Sequence, residues 1–270
     1  MSKVFVFDIA RCTGCYCCQI ACKDEHCEND WSPYTKPQPD TGQFWLKIDE
    51  HVRGTIPKVK LHYLPHLCNH CENAACSDIC PNDAIYKRED GLVLIDPAKC
   101  QGCKKCVTAC PYDAIFINEG LNIAQKCTGC AHLLDTGDDI PRCVQSCTTE
   151  CLKFGEEDEL ADLIKDAIVL KPELKSGARV YYRNIPGRFI AGTVYDPIEK
   201  EVIIGASLEL TGAAGTMTTQ TDGFGDFWFK NLPEGELYDL IIKYDGFKEK
   251  SFNALNTQND ANLGDIPLEK

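Results

Sequence analysis

An α+β chain in two unlike parts is what the sequence predicts: a loop-rich part of short helices and hairpins, then an all-β part. Three observations predict it. All 19 cysteines fall within residues 1–151, and residues 152–270 contain none. The first part repeats itself, with the same order of turn signals and short apolar runs appearing twice. From about Arg179 the pattern changes to short strand-like runs between Gly, Asp and Pro turns. The expected division is 1–151, carrying an insert at 23–67, then a connector helix and linker at 152–176, then a β-domain at 177–270. A chain of 270 residues can bury a real core in such an arrangement.

Composition excludes several classes. Apolar residues make up 44% and charged residues 26%, which is ordinary for a folded soluble chain. The formal charge is −13, with 15 basic and 20 acidic residues up to 151 and 13 and 21 beyond it. Both parts are acidic, so a nucleic-acid backbone is repelled. No apolar run approaches the roughly 18 residues that span a bilayer, so no direct membrane span is expected. The opening MSKVFVFDIARC leaves no room for a signal-peptide core before Cys12. The expected compartment is the cytoplasm; the alternative is the periplasm, reached by co-export with a signal-bearing partner. A uniform disulfide scaffold does not fit a chain whose second part is cysteine-free.

The cysteines fall into four groups: Cys12-x2-Cys15-x2-Cys18-x3-Cys22, Cys68-x2-Cys71-x4-Cys76-x3-Cys80, Cys100-x2-Cys103-x2-Cys106-x3-Cys110, and Cys127-x2-Cys130-x12-Cys143-x3-Cys147. Groups two and three end in Cys-Pro, at Pro81 and Pro111. A C-x2-C-x2-C run wraps one iron–sulfur cube and reaches three of its irons, while the fourth cysteine ligates the other cube of a pair. Groups therefore work in pairs, and sixteen thiolates suit four [4Fe–4S] clusters. Zinc fits this run poorly, because one tetrahedral ion is served by separated C-x2-C pairs. Cys17, Cys27 and Cys151 are left over and read as small buried residues or spectators.

The repeat supports a duplicated ferredoxin-like domain. DIARCTGCYCC and DPAKCQGCKKC each place an aspartate shortly before a group. PNDAIYKREDGLVLID and PYDAIFINEGLNIA follow Cys80 and Cys110, and each reads as a short helix, a strand, a turn and a second strand. The core is small, so the clusters must hold much of this part together.

The four-group plan resembles the four-cluster electron-transfer subunits of the dimethyl sulfoxide reductase family of molybdenum oxidoreductases. The resemblance implies that groups two and three pair, as do one and four. One cluster then takes Cys12, Cys15, Cys18 and Cys147, and a second takes Cys22, Cys127, Cys130 and Cys143. A third takes Cys68, Cys71, Cys76 and Cys110, and the fourth takes Cys80, Cys100, Cys103 and Cys106. CKDEHCENDWSPYT, KREDGLVLIDPAK and QKCTGCAHLLD, with the β-rich tail, are similar to the branch of small subunits serving pyrogallol–phloroglucinol transhydroxylase and resorcinol-type hydroxylases. That branch implies a large partner subunit carrying a molybdenum bis-pterin cofactor, in a heterodimer or a multiple of it, and an external electron carrier. It implies polyhydroxylated aromatic substrates, with no catalytic site on this chain.

In the second part, RVYYRN, FIAGTVYD, GASLELTG, MTTQTD, DFWFKNL and YDLIIKYDG read as strands of a β-sandwich or small barrel. Their order resembles the prealbumin-like, carboxypeptidase regulatory-like domain, usually an interaction or stabilising module. The segment has no His or Cys, and Trp228 and Phe229 read as core or sheet-face residues. Before it, Leu160, Leu163, Ile164 and Ala167 have helical spacing over Glu157–Leu170, stopped by Pro172.

Every group already has four cysteines, so His26, His51, His62, His66, His70 and His132 are not needed as ligands; His66 and His70 flank Cys68 and are expected to donate hydrogen bonds or cap loops. Lys104, Lys105 and Lys126 lie beside ligands, as potential tuners or as ordinary surface lysines. The insert WSPYTKPQPDTGQFW is expected to be a loop that meets the partner subunit or wraps its own domain.

No nucleophile–base pair, phosphate loop or flavin motif occurs, which points to electron transfer rather than substrate chemistry. Four clusters with their thiolates would add about −8 to the chain, bringing it to about −21. A complete set of clusters points to net redox on the aromatic ring, hydroxylation or dehydroxylation, because transhydroxylation moves no net electrons. The alternatives are a transhydroxylase small subunit, a sulfoxide, polysulfide or arsenate reductase subunit, a free polyferredoxin, and a zinc-bound scaffold.

Overall fold

A computed structural model describes residues 2–270. They form two units: residues up to Glu50 together with His62–Ile185, and His51–Leu61 together with Pro186–Lys270.

In the first unit the chain begins with β1 (Lys3–Asp8), whose Val4–Phe7 are buried on both faces. After α1 (Cys17–His26) comes a hairpin, β2 (Leu46–Thr55) and β3 (Lys58–Leu67), whose turn-side residues belong to the second unit. Then come α2 (Ala75–Asp78), the hairpin β4 (Ile85–Lys87) with β5 (Val93–Ile95), α3 (Lys105–Ala109), and the hairpin β6 (Phe116–Asn118) with β7 (Ile123–Gln125). The unit closes with α4 (Ala131–Thr136), α5 (Arg142–Gln145), β8 (Leu152–Glu156), α6 (Ala161–Ile164) and β9 (Val180–Arg183). Strand β1 is the centre of a three-stranded sheet, antiparallel to β8 and parallel to β9. A strand buried on both faces is an unbroken apolar run, which VFVF is.

Several expectations change here. The short helices precede Cys80 and Cys110, and a turn comes after each of these cysteines. The cause is Pro81 and Pro111: the residue before a proline is pushed out of the helical region, and Cys110 ends its helix at φ −76°, ψ 113°. The paired hairpins after them are as expected from the sequence. RVYYRN, assigned above to the β-domain, supplies β9 and pairs with β1 instead. Tyr182 stacks on Phe7 with centroids 5.4 Å apart, and its hydroxyl donates to the Pro65 carbonyl at 2.9 Å. The expected helix over Glu157–Leu170 shrinks to α6, because the Ile168 backbone bonds reciprocally with Tyr182 at 2.8 and 2.7 Å. The hairpin of β2 and β3 is not legible in the sequence, since apolar residues also occupy its exposed positions (Val52, Ile56, Val59 and Leu61) and blur the alternation. Its base is anchored by Trp45, Leu46, Ile48 and Leu67, all buried.

The loop before that hairpin is pinned to its own unit. Gln125 Nε2 donates to the Lys36 and Pro37 carbonyls at 2.7 and 3.0 Å, and the Tyr34 hydroxyl donates to Asp135 at 2.6 Å. Trp31 stacks on His132 with centroids 4.3 Å apart.

The second unit is a pair of four-stranded sheets. One joins β10 (Arg188–Asp196) to β11 (Glu201–Val202), β14 (Asp226–Leu232) and, in parallel, β17 (Ala261–Pro267). The other has the order β13 (Gly215–Gln220), β12 (Ser207–Gly212), β15 (Leu237–Lys243), β16 (Lys250–Asn256). Alternation explains the packing: Leu208 and Leu210 point inward, as do Tyr238, Leu240 and Ile242, and Phe227 and Phe229. The hairpin turn is part of this unit: Lys58 is buried against Asp226, Arg53 meets Asp260 at 3.5 Å, and Lys60 sits 4.3 Å over the Trp228 ring. Trp228 is thus a sheet-face residue with lysine ammonium groups over its ring.

Candidate functional site: four cysteine-lined cavities

Four cavities in the first unit are each lined by four of the sixteen grouped cysteines. The first is lined by Cys12, Cys15, Cys18 and Cys147, and the second by Cys22, Cys127, Cys130 and Cys143. The third is lined by Cys68, Cys71, Cys76 and Cys110, and the fourth by Cys80, Cys100, Cys103 and Cys106. Each cavity draws on two of the sequence groups, one and four or two and three.

Local geometry explains how the spacing does this. In the first C-x2-C loop of each group one residue is left-handed: Gly14 at φ 66°, His70 at 42°, Gly102 at 64° and Gly129 at 63°. Such a turn directs backbone N–H groups inward, where an anionic group is stabilised. At Gly102 nothing larger fits, since a Cβ there would lie 2.3 Å from the Asn122 carbonyl oxygen. The fourth cysteine of each group comes four residues after its neighbour. On α1 that separation carries the chain about 6 Å along the axis, so Cys18 lines one cavity and Cys22 the next.

The donor set suits iron–sulfur cubes. Among the described residues no three His, Cys, Asp or Glu side chains converge on a single ion position. The thiols instead surround spaces. Backbone N–H groups donate to their sulfurs: Ala84 to Cys80 at 3.4 Å, Ala124 to Cys100 at 3.3 Å, and Gly129 to Cys127 at 3.4 Å. Burial pushes the Cys76, Cys127 and Cys130 thiols up to about 12, and Cys22 and Cys143 well above the usual range. Thiolates in such places need a bound cation, which the irons of a cluster supply.

Some surrounding residues were not singled out by sequence. Cys151, set aside above as a spectator, is buried in the wall of the first cavity, and its thiol beside Cys12 lowers the Cys12 thiol to about 6. Cys17 and Cys27 are half-buried. Beside the second cavity, Glu25 accepts from His132 at 3.0 Å and from Arg142 at 2.7 Å. Burial alone would raise the Glu25 carboxyl, but these two donors hold it below the usual range. His26 donates through Nδ1 to the Cys22 carbonyl at 2.9 Å, and burial lowers it to about 4, so it is neutral. His70 accepts at Nδ1 from the Val93 N–H at 3.0 Å rather than donating there. Lys104 and Lys105 are exposed, whereas Lys126 is 2% exposed and no surface lysine.

Short turns that present tetrads of thiols around cavities define an iron–sulfur protein. Residues 59–157 match the 4Fe-4S dicluster domain family, and residues 190–269 match the carboxypeptidase regulatory-like domain family. Over 97% of its length the chain is 39% identical to the pyrogallol hydroxytransferase small subunit of Pelobacter acidigallici, covering 98% of that protein. It is 36% identical to a tetrathionate reductase subunit of Salmonella typhimurium, over 68% of this chain and 73% of that one. It is also 32% identical to the iron-sulfur subunit of the arsenate respiratory reductase of a Shewanella species, over 66% and 94%. The chain belongs to the family of iron–sulfur electron-transfer subunits of the dimethyl sulfoxide reductase class of molybdenum oxidoreductases. No described helix is long and apolar enough to cross a membrane.

Proposed function

We propose that this chain passes electrons one at a time through four [4Fe–4S] clusters, between a molybdopterin catalytic subunit acting on polyhydroxylated aromatic rings and an external carrier. The observation that carries the reading is the four cavities, each lined by its own four cysteines. The clusters supply one-electron chemistry; the protein holds their irons and shields them. Helix α1 links the first cavity to the second through Cys18 and Cys22, and the turn ending α3 links the fourth to the third through Cys106 and Cys110. The first and fourth cavities each have one exposed thiol, Cys15 and Cys103, so electrons enter and leave there.

The aromatic substrate class rests on the whole-length similarity to the hydroxytransferase small subunit, which extends through both units. That similarity also favours a second reading, a transhydroxylase subunit with no net electron flow. The test is anaerobic purification with the catalytic subunit, counting iron and molybdenum per chain. About sixteen irons with molybdenum, and turnover of phenols only with an electron acceptor or donor, is expected. About twelve irons, or turnover with neither, overturns the net-redox reading. Iron without molybdenum points to a free polyferredoxin, and zinc in place of iron overturns the cluster reading.

A further inference from the structure

Lys126 is 2% exposed, yet among the described residues its ammonium group has only main-chain acceptors. It donates to the Val93 carbonyl and, at 3.2 Å, to the Cys127 carbonyl. No ion pair involves it among the described residues. A buried cation without a counter-charge is strongly disfavoured, because the carbonyl dipoles replace only part of its lost hydration. The two carbonyls mark where it stands. Val93 lines the third cavity and Cys127 lines the second. Its charge reaches Cys76 and Cys110 on the third cavity and Cys127 on the second. The side chain thus lies between two cavities built for anionic groups. His70, the other buried base beside it, is held neutral by burial and by the charge of Lys126, so it adds no second positive charge there.

We infer that Lys126 is the electrostatic positioning residue of the two inner cluster sites: its buried ammonium stabilises the added electron on each, and the clusters are its missing counter-charge. This deepens the four-cluster reading and rests on it. A fixed positive charge favours the more negative, reduced form of a neighbouring group, so both inner sites become easier to reduce than their burial alone would make them. An electron entering at either exposed end then meets two favourable sites in mid-course. The outer two sites, which do not adjoin Lys126, are unaffected.

The test is a redox titration of the anaerobically purified complex, followed by electron paramagnetic resonance, in wild type, Lys126→Met and Lys126→Arg. Lys126→Met is expected to lower the potentials of two signals by at least about 59 mV each, a tenfold loss in the equilibrium constant for adding one electron. The other two signals stay in place, and Lys126→Arg keeps all four close to wild type. Lys104→Met, which alters an exposed charge beside the fourth cavity, serves as the control and moves neither inner signal. If Lys126→Met keeps its iron and no signal moves, or all four move alike, the inference is overturned. If Lys126→Met loses iron, Lys126→Arg decides: wild-type potentials with full iron support the charge, and iron loss there too overturns it. A wild-type complex with no clusters overturns the cluster reading itself, which is a separate outcome.

Discussion

The two units solve the problem of a core in opposite ways. In the second, fourteen buried apolar side chains, none of them cysteine, close the space between two sheets. In the first, cysteines are woven through both core clusters: Cys22, Cys68, Cys127, Cys143 and Cys151 in one, Cys106 in the other. Its helices run only four to ten residues, and its hairpins of β4 with β5 and β6 with β7 have three-residue strands. Elements that short bury too little apolar surface to stand alone. One unit is held by hydrocarbon packing, and the other needs what fills its cavities. The second is expected to fold without clusters, and the first to be coupled to cofactor delivery.

The sharpest way to break this comparison is to take the iron away. Anaerobic chelation is expected to abolish protection of the first unit in hydrogen exchange while Leu208, Leu240 and Ile242 of the second stay protected. Equal loss in both units would mean that the second depends on the clusters as well. The converse experiment is Phe227→Ala, which empties a buried site in the second unit. It should cost about 3–5 kcal/mol in that unit's unfolding by denaturant, with the iron count unchanged.

A backbone change in the first unit comes next. Gly102→Ala places a Cβ against the Asn122 carbonyl in a left-handed turn, and should cost about 2 kcal/mol. Iron analysis is expected to show occupancy lost at the fourth cavity and kept at the other three. Glu25→Gln is a smaller perturbation, on the order of 1–2 kcal/mol, since Arg142 keeps some solvent. It also has a pH signature. The folded Glu25 carboxyl lies below its unfolded value, so its stabilisation is complete above about 4.3 and is lost as pH falls through the folded value. Removing the carboxylate should flatten that acid limb of a stability-against-pH curve; an unchanged limb would place the titration elsewhere. The smallest effect is expected from Arg88→Ala, which leaves the half-buried Asp90 and the more exposed Asp135 without their shared partner and should shift stability by about 1 kcal/mol.

Much of the site was legible because cluster spacing is a local code. A C-x2-C loop needs a left-handed residue, and Gly14, Gly102 and Gly129 announce it. His70 occupies the equivalent position without a glycine, and only the backbone reveals it. The Glu25, His132 and Arg142 contact was not legible, since its members lie 107 and 117 residues apart. Nor was the depth of Lys126, because a lysine next to a cysteine has the same sequence whether it faces water or not.

Sequence by itself determined the four cysteine groups, the paired hairpins after Cys-Pro, and the change to an all-β second part. Each of these arises from chemistry within a dozen residues: turn geometry, the proline restriction and two-residue alternation. Tertiary structure alone decided which groups share a cavity, that Val180–Arg183 joins β1, and that the hairpin turn at 51–61 belongs with the second unit. It also decided that Lys126 is buried between two cavities, with no ion pair among the described residues. Those outcomes depend on which distant surfaces need covering and which charges lose their water, and no local pattern encodes either.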